Sequence, residues 1–163
     1  MDFKYEWLLV NGRGINNMFK KYKTVLVSGP TSSGKTTLLK RYIDYMQNED
    51  DVNLIIIDPK QVELTEYKSK GKAIYIANNF EHYILEVLKP IIENRLNEDY
   101  PKEVVVVDEF AELTYNRKII DFFNWMFTSK EQLNLELVLT SQLESVFTKE
   151  LIEFSDVVIK LNI

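Results

Sequence analysis

Apolar positions along the chain come in two alternating rhythms. Unbroken runs rich in Val, Ile and Leu recur at Thr24–Ser28, Val52–Asp58, Lys72–Ala77, Glu103–Asp108, Leu135–Ser141 and Asp156–Leu161. Each is of strand length, and an uninterrupted apolar run suits a strand covered on both faces. Between them the spacing changes to three and four. Leu38, Leu39, Tyr42, Ile43 and Met46 fall on one face of a helix predicted from Lys35 to about Gln47. Asn79–Asn97 reads as a second helix, with Ile84, Leu85, Val87, Leu88, Ile91, Ile92 and Leu96 apolar. Pro90 should kink that helix or start a new one. Arg117–Phe127 reads as a third helix, rich in Phe and Trp, and Thr148–Phe154 as a short fourth. Strands alternating with helices predict an α/β fold: a mostly parallel sheet with helices on both faces.

The chain shows no internal repeat and no linker, so one domain is expected over residues 1–163. Residues 1–23 read as an N-terminal extension: an extra strand, a turn at Gly12-Arg13-Gly14 and a short helix. The length of 163 residues fits a single domain and buries enough surface to need no staple.

Composition narrows the chemistry. Cysteine is absent, which removes disulfides, thiolate metal sites and cysteine nucleophiles. The single histidine, His82, argues against multi-histidine metal centres and is expected on a helix surface. No apolar run is long enough for a signal-peptide core or a membrane span, so the expected location is the cytoplasm. Only four of the 20 basic residues are arginines, Arg13, Arg41, Arg95 and Arg117. That is a short candidate list for any role needing a planar, bidentate cation. The net charge of −5 tells against a molecule that binds nucleic acid over its whole surface.

One motif reverses that impression. Gly29-Pro30-Thr31-Ser32-Ser33-Gly34-Lys35-Thr36 fits G-x-x-x-x-G-K-[ST] in full, between a predicted strand and a predicted helix. Such a loop wraps backbone amides and a helix N-terminus around phosphates. Lys35 is then placed for the β- and γ-phosphates, and the Thr36 hydroxyl for Mg²⁺. The ligand is expected to be ATP with Mg²⁺, bound by residues from Gly29 through Thr36 to Thr37.

The fourth apolar run ends in Asp108-Glu109. Beside a phosphate loop, Asp108 suits the metal shell and Glu109 suits polarising an attacking water. The competing reading is a helix-capping pair. The fifth run ends Thr140-Ser141-Gln142, where Gln142 could orient water or sense the γ-phosphate. The alternative there is a capping box of Ser141 with Glu144.

Four segments together resemble the FtsK/HerA superfamily of DNA-pumping ATPases. They are the phosphate loop, Ile57-Asp58-Pro59-Lys60 followed by Glu63-Leu64 and Tyr67, Val107-Asp108-Glu109-Phe110-Ala111-Glu112-Leu113, and Leu137-Val138-Leu139-Thr140-Ser141-Gln142. The resemblance covers about residues 24–163. It implies a RecA-like sheet of the additional-strand, catalytic-glutamate type, with the Thr140 strand between the loop strand and the acidic strand. It also implies a homo-oligomeric ring, usually a hexamer, with ATP at subunit interfaces and double-stranded DNA in the channel. The departures are Ser32-Ser33-Gly34 for the usual Gly-Ser-Gly, and no arginine in the stretch 129–134. Arg117 is then the first candidate for a trans-acting finger and Lys130 the second; a surface ion pair is the alternative for Arg117. The absence of a DNA-reading domain points by analogy to small viral or mobile-element motors.

DNA contact, if made, falls to Lys20, Lys21 and Lys23 or to Lys68, Lys70 and Lys72, as rings of positive charge. Each cluster reads equally as a solvated face. Alternatives for the whole chain are a secretion or pilus-type ring ATPase, a small phosphotransferase, or a nucleotide-binding module without turnover.

Overall fold

A computed structural model describes residues 5–7, 20–95 and 101–161. Seven strands form one sheet: β1 (Tyr5–Trp7), β2 (Thr24–Ser28), β3 (Val52–Ile57), β4 (Ile74–Ile76), β5 (Lys102–Val107), β6 (Leu135–Ser141) and β7 (Val157–Lys160). Their order across the sheet is β1-β7-β2-β6-β5-β3-β4, and every neighbouring pair is parallel. The sheet is therefore wholly rather than mostly parallel. The Thr140 strand does lie between the loop strand and the acidic strand.

Strand alternation sorts the core into two layers. Leu26, Ile55, Ile57, Val105, Val107, Leu137 and Leu139 face one side. They pack there on the helices α4 (Arg117–Ser129) and α5 (Lys149–Phe154), and on Ile84, Leu88 and Ile92 of the helix after β4. Val25, Val27, Leu54, Ile56, Val104, Val106 and Val138 face the other side, against helix α1 (Lys35–Gln47) and the buried Tyr67. The five α1 residues predicted to share a face are its buried residues. Burying such side chains contributes roughly 1.5–3 kcal/mol each.

The helix after β4 is a composite. It starts as α2 (Phe80–His82), widens to a π-helix over Tyr83–Leu88, and ends as α3 (Lys89–Glu93) with Pro90 in its first turn. Proline cannot donate an intrahelical hydrogen bond and its ring crowds the preceding turn. The amide of Lys89 reaches Ile84 O, five residues back, so the register shifts immediately before the proline. His82 is exposed, as expected.

Strand ends are shorter than predicted. Asp58, Asp108 and Lys72 fall just outside β3, β5 and β4. The helix predicted to Asn97 already ends at Glu93, with Asn94 as its C-cap and Arg95 beyond it, whereas Leu96, Asn97 and the Gly12-Arg13-Gly14 turn lie outside the described residues.

Every strand points its C-terminus the same way, so the segments following β2, β3, β5 and β6 meet along one edge. Crevices for ligands form at that edge of a parallel sheet.

Candidate functional site

Along that edge lies a cleft of about 620 Å³. The loop residues Pro30, Thr31, Ser32 and Gly34 line it with Lys35, Thr36 and Thr37, and so do Asp108, Glu109 and Gln142. Lys60, Val62 and Glu63 close the side beyond β5.

The loop is shaped for an anion. Gly34 adopts φ 101°, which favours glycine, and starts α1 with no side-chain cap. The first turn of α1 holds no acidic residue, so its amides present unopposed positive dipole to the cleft. A Cβ on Gly29 would stand 2.7 Å from both Leu161 O and Ser33 Oγ, so only glycine lets the backbone pass there. Ser33 Oγ is buried with no hydrogen-bond partner among the described residues. Lys35 donates from Nζ to the Gly29 carbonyl, which curls the ammonium back over the loop. Burial is the main influence on that ammonium and lowers its pKa. Glu109 and Asp108 oppose this, and Lys60 adds to it.

The acidic pair is held by β6. Thr140, fully buried, donates to Asp108 Oδ1 at 3.1 Å and accepts from the Glu109 amide at 3.1 Å. Glu109 turns the chain at φ 64°, a left-handed conformation uncommon outside glycine. That turn sends Phe110 into the core. The Glu109 carboxylate accepts from Ser141 Oγ at 3.0 Å and from the Gln142 amide at 3.2 Å. Asp108 is pushed above the ordinary carboxylate range mainly by burial, with Asp58 and Glu109 adding to it and the Thr140 hydrogen bond opposing it.

Neither capping arrangement is formed. Glu109 precedes the 3-10 turn Phe110–Leu113 but makes no side-chain cap there. Ser141 accepts from Leu143 N at 3.3 Å while its hydroxyl serves Glu109, and Glu144 pairs with Lys160 at 2.8 Å instead of completing a box. The Gln142 side chain donates to Thr31 Oγ1 at 3.2 Å, tying the end of β6 to the phosphate loop.

Lys60 and Glu63 enter the cleft because Asp58, wholly buried, anchors the turn that carries them. The Tyr75 hydroxyl donates to Asp58, which with burial pushes the phenol pKa up. The signal was available: polar residues directly after an apolar parallel strand sit on the ligand edge.

The finger candidates divide. Lys130 donates to Thr24 Oγ1, the Phe154 carbonyl and Asp156 Oδ1 at 2.6–2.9 Å, far from the cleft at the start of β2. It is a structural cation that joins the start of β2 to the segment before β7. Arg117 is exposed in the first turn of α4, bonded to Asp121 at 3.1 Å, and does not line the cleft. Both lysine clusters make local contacts. Lys68 lies over Tyr75, Lys70 pairs with Glu66 at 3.4 Å, and Lys72 donates to the Glu49 carbonyl. Lys20, Lys21 and Lys23 line a hollow at the opposite edge of the sheet together with Glu49, Asp50, Asp51 and Glu136.

A phosphate loop, an acidic strand end and a glutamine strand end now converge on one cleft. The family model "Type II/IV secretion system protein" matches residues 13–92. DNA translocase FtsK of Mycobacterium leprae is 24% identical over 177 residues, covering 84% of this chain and 21% of that protein. These similarities fit an FtsK/HerA-like P-loop ATPase. Solved structures support the fold. EccC of Thermomonospora curvata (ATPases 2 and 3, with a signal sequence peptide) superposes with TM-score 0.72 at 15% identity, over 85% of this chain and 31% of that one. The genome packaging NTPase B204 of Sulfolobus turreted icosahedral virus 2 gives TM-score 0.58 at 18% identity, over 85% of this chain and 74% of that one. The chain spans 51% and 21% of the length of the two curated relatives it matches. Among the described residues, no helix is long and apolar enough to cross a membrane.

Proposed function

We propose that residues 1–163 act as one ATPase unit of a cytoplasmic motor that hydrolyses Mg·ATP to move double-stranded DNA, assembled as a ring with nucleotide at subunit interfaces. The observation that carries the catalytic half is the grip on Glu109. Ser141 and Gln142 hold its carboxylate beside Asp108, facing the phosphate loop across the cleft. A carboxylate oriented in this way is suited to accept a proton from water.

The chain's own residues divide the work. The uncapped start of α1 and Lys35 bind the phosphates, and the free Ser33 hydroxyl offers them a further donor. Thr36 and Asp108 would hold Mg²⁺, which would supply charge neutralisation at the phosphates. Gln142, bonded to Thr31, carries the state of the phosphate loop to the backbone that grips Glu109. Arg117 lies outside its own cleft, so any nucleotide it touches belongs to a neighbouring subunit. DNA would meet Lys68, Lys70 and Lys72 or Lys20, Lys21 and Lys23 through its phosphates. The carboxylates around the second group offset its field, which favours the first.

The test is steady-state ATP hydrolysis with and without linear duplex DNA at two salt concentrations. Stimulation that weakens with salt is the expected result. DNA-independent hydrolysis at both salts would favour the second reading, a secretion-type ATPase. That reading is supported by the family model over residues 13–92 and by the fold shared with EccC.

A further inference from the structure

The cleft contains a cation that no phosphate-loop role uses. Lys60 follows β3, and its position is built. The Asp58 amide bonds to Ile76 O at 2.8 Å, and its carboxylate takes the Tyr75 hydroxyl and the Gln61 amide. Gln61 turns at φ 57°, and its side chain donates to Asn78 at 3.0 Å. The turn is thereby fixed to the end of β4, and the residues on either side of Gln61 project into the cleft.

The charge at Lys60 is weakly committed. Its Nζ stands 3.9 Å from Glu112 Oε1, the outer limit of an ion pair, and both side chains are more than 40% exposed. Such a pair holds little energy. Lys60 and Lys35 line the same cleft, so the two ammoniums share one space. Without a ligand that proximity is unfavourable, and a polyphosphate between them removes the repulsion. Strand order fixes which end of the polyphosphate is concerned. The loop strand β2 is separated from β3 by β6 and β5, which carry Gln142 and Asp108-Glu109. A nucleotide running from the phosphate loop toward those groups brings its terminal phosphate nearest to Lys60.

We infer that Lys60 is a terminal-phosphate contact that exchanges Glu112 for the γ-phosphate and so distinguishes nucleoside triphosphate from diphosphate. The inference rests on the nucleotide-site reading above. It also gives Glu112 a function as the counter-ion that Lys60 leaves when triphosphate binds.

The experiment measures equilibrium binding of ADP and of the non-hydrolysable triphosphate AMPPNP, each with Mg²⁺, to the full chain. The expected result for Lys60→Gln is about tenfold weaker AMPPNP binding, the range of a lost charged hydrogen bond, with ADP unchanged within about twofold. Glu112→Gln removes the competitor and should tighten AMPPNP a few-fold without moving ADP. Equal weakening of both nucleotides by Lys60→Gln, or of neither, overturns the inference while leaving the nucleotide site intact. If wild type binds neither nucleotide, or Lys35→Ala binds as wild type does, the site reading falls and the inference falls with it. Lys60 is exposed, so its substitution leaves the core untouched.

Discussion

At the residue scale, the cleft keeps two carboxylates in one place by opposite means. Glu109, buried, is given two hydrogen-bond donors, whereas the half-buried Asp108 stands beside Asp58 and Glu109 with one donor, Thr140. Glu109→Gln keeps the size and most contacts of the side chain but cannot accept a proton. Turnover should fall by about 10²–10⁴-fold with nucleotide binding retained, measured by steady-state hydrolysis beside equilibrium binding. Hydrolysis within a few-fold of wild type would remove Glu109 from the chemistry. Asp108 has a folded-state pKa raised above its ordinary 3.8. Its protonated form is therefore favoured by folding, a stabilisation present below pH 3.8 and lost as pH rises through the raised value. At neutral pH the ionised group is a cost, so Asp108→Asn should melt a few degrees higher than wild type without nucleotide. That advantage should shrink as pH is lowered toward 3.8. A lower melting temperature for Asp108→Asn at pH 7 would contradict this account.

At the element scale, one arginine is spent on the fold. Arg95, just past α3, donates to Glu103 at 2.6 Å and to the carbonyls of Pro101 and Leu133 at 3.2 and 3.0 Å, all at the end of the sheet away from the cleft. Burial nevertheless outweighs these donors and raises the Glu103 pKa. Arg95→Ala strands that carboxylate and should cost about 3–5 kcal/mol in denaturant unfolding. A loss under about 1 kcal/mol would mean the pair is wetter than it looks. This partnership could not be read from the sequence, where Arg95 was one of four candidates for a bidentate role. What the sequence did carry was local. The α1 face, the strand cores and the phosphate loop follow from spacing of three and four or from unbroken apolar runs. The hold of Ser141 and Gln142 on Glu109 joins residues more than 30 positions apart through strand register, which no local pattern encodes. Pro90 announced a break in the helix, but the widening to a π-turn depends on how Ile84 and Leu88 stay in the core.

At the scale of the whole molecule, a net charge of −5 and a DNA-moving role are compatible because the charge is unevenly used. Three acidic residues, Glu63, Asp108 and Glu109, line the cleft, and several more surround Lys20, Lys21 and Lys23. Lys68, Lys70 and Lys72 stand exposed at the sheet edge formed by β4, and a ring needs only one such loop per subunit facing its channel. An acidic exterior would limit binding elsewhere. Movement along DNA is the central claim, and displacement of a third strand from a triplex at the end of a linear duplex tests it most directly. The account predicts displacement by wild type with Mg·ATP, and none with ADP or with Glu109→Gln. Vigorous ATP hydrolysis by wild type with the third strand left in place would contradict it.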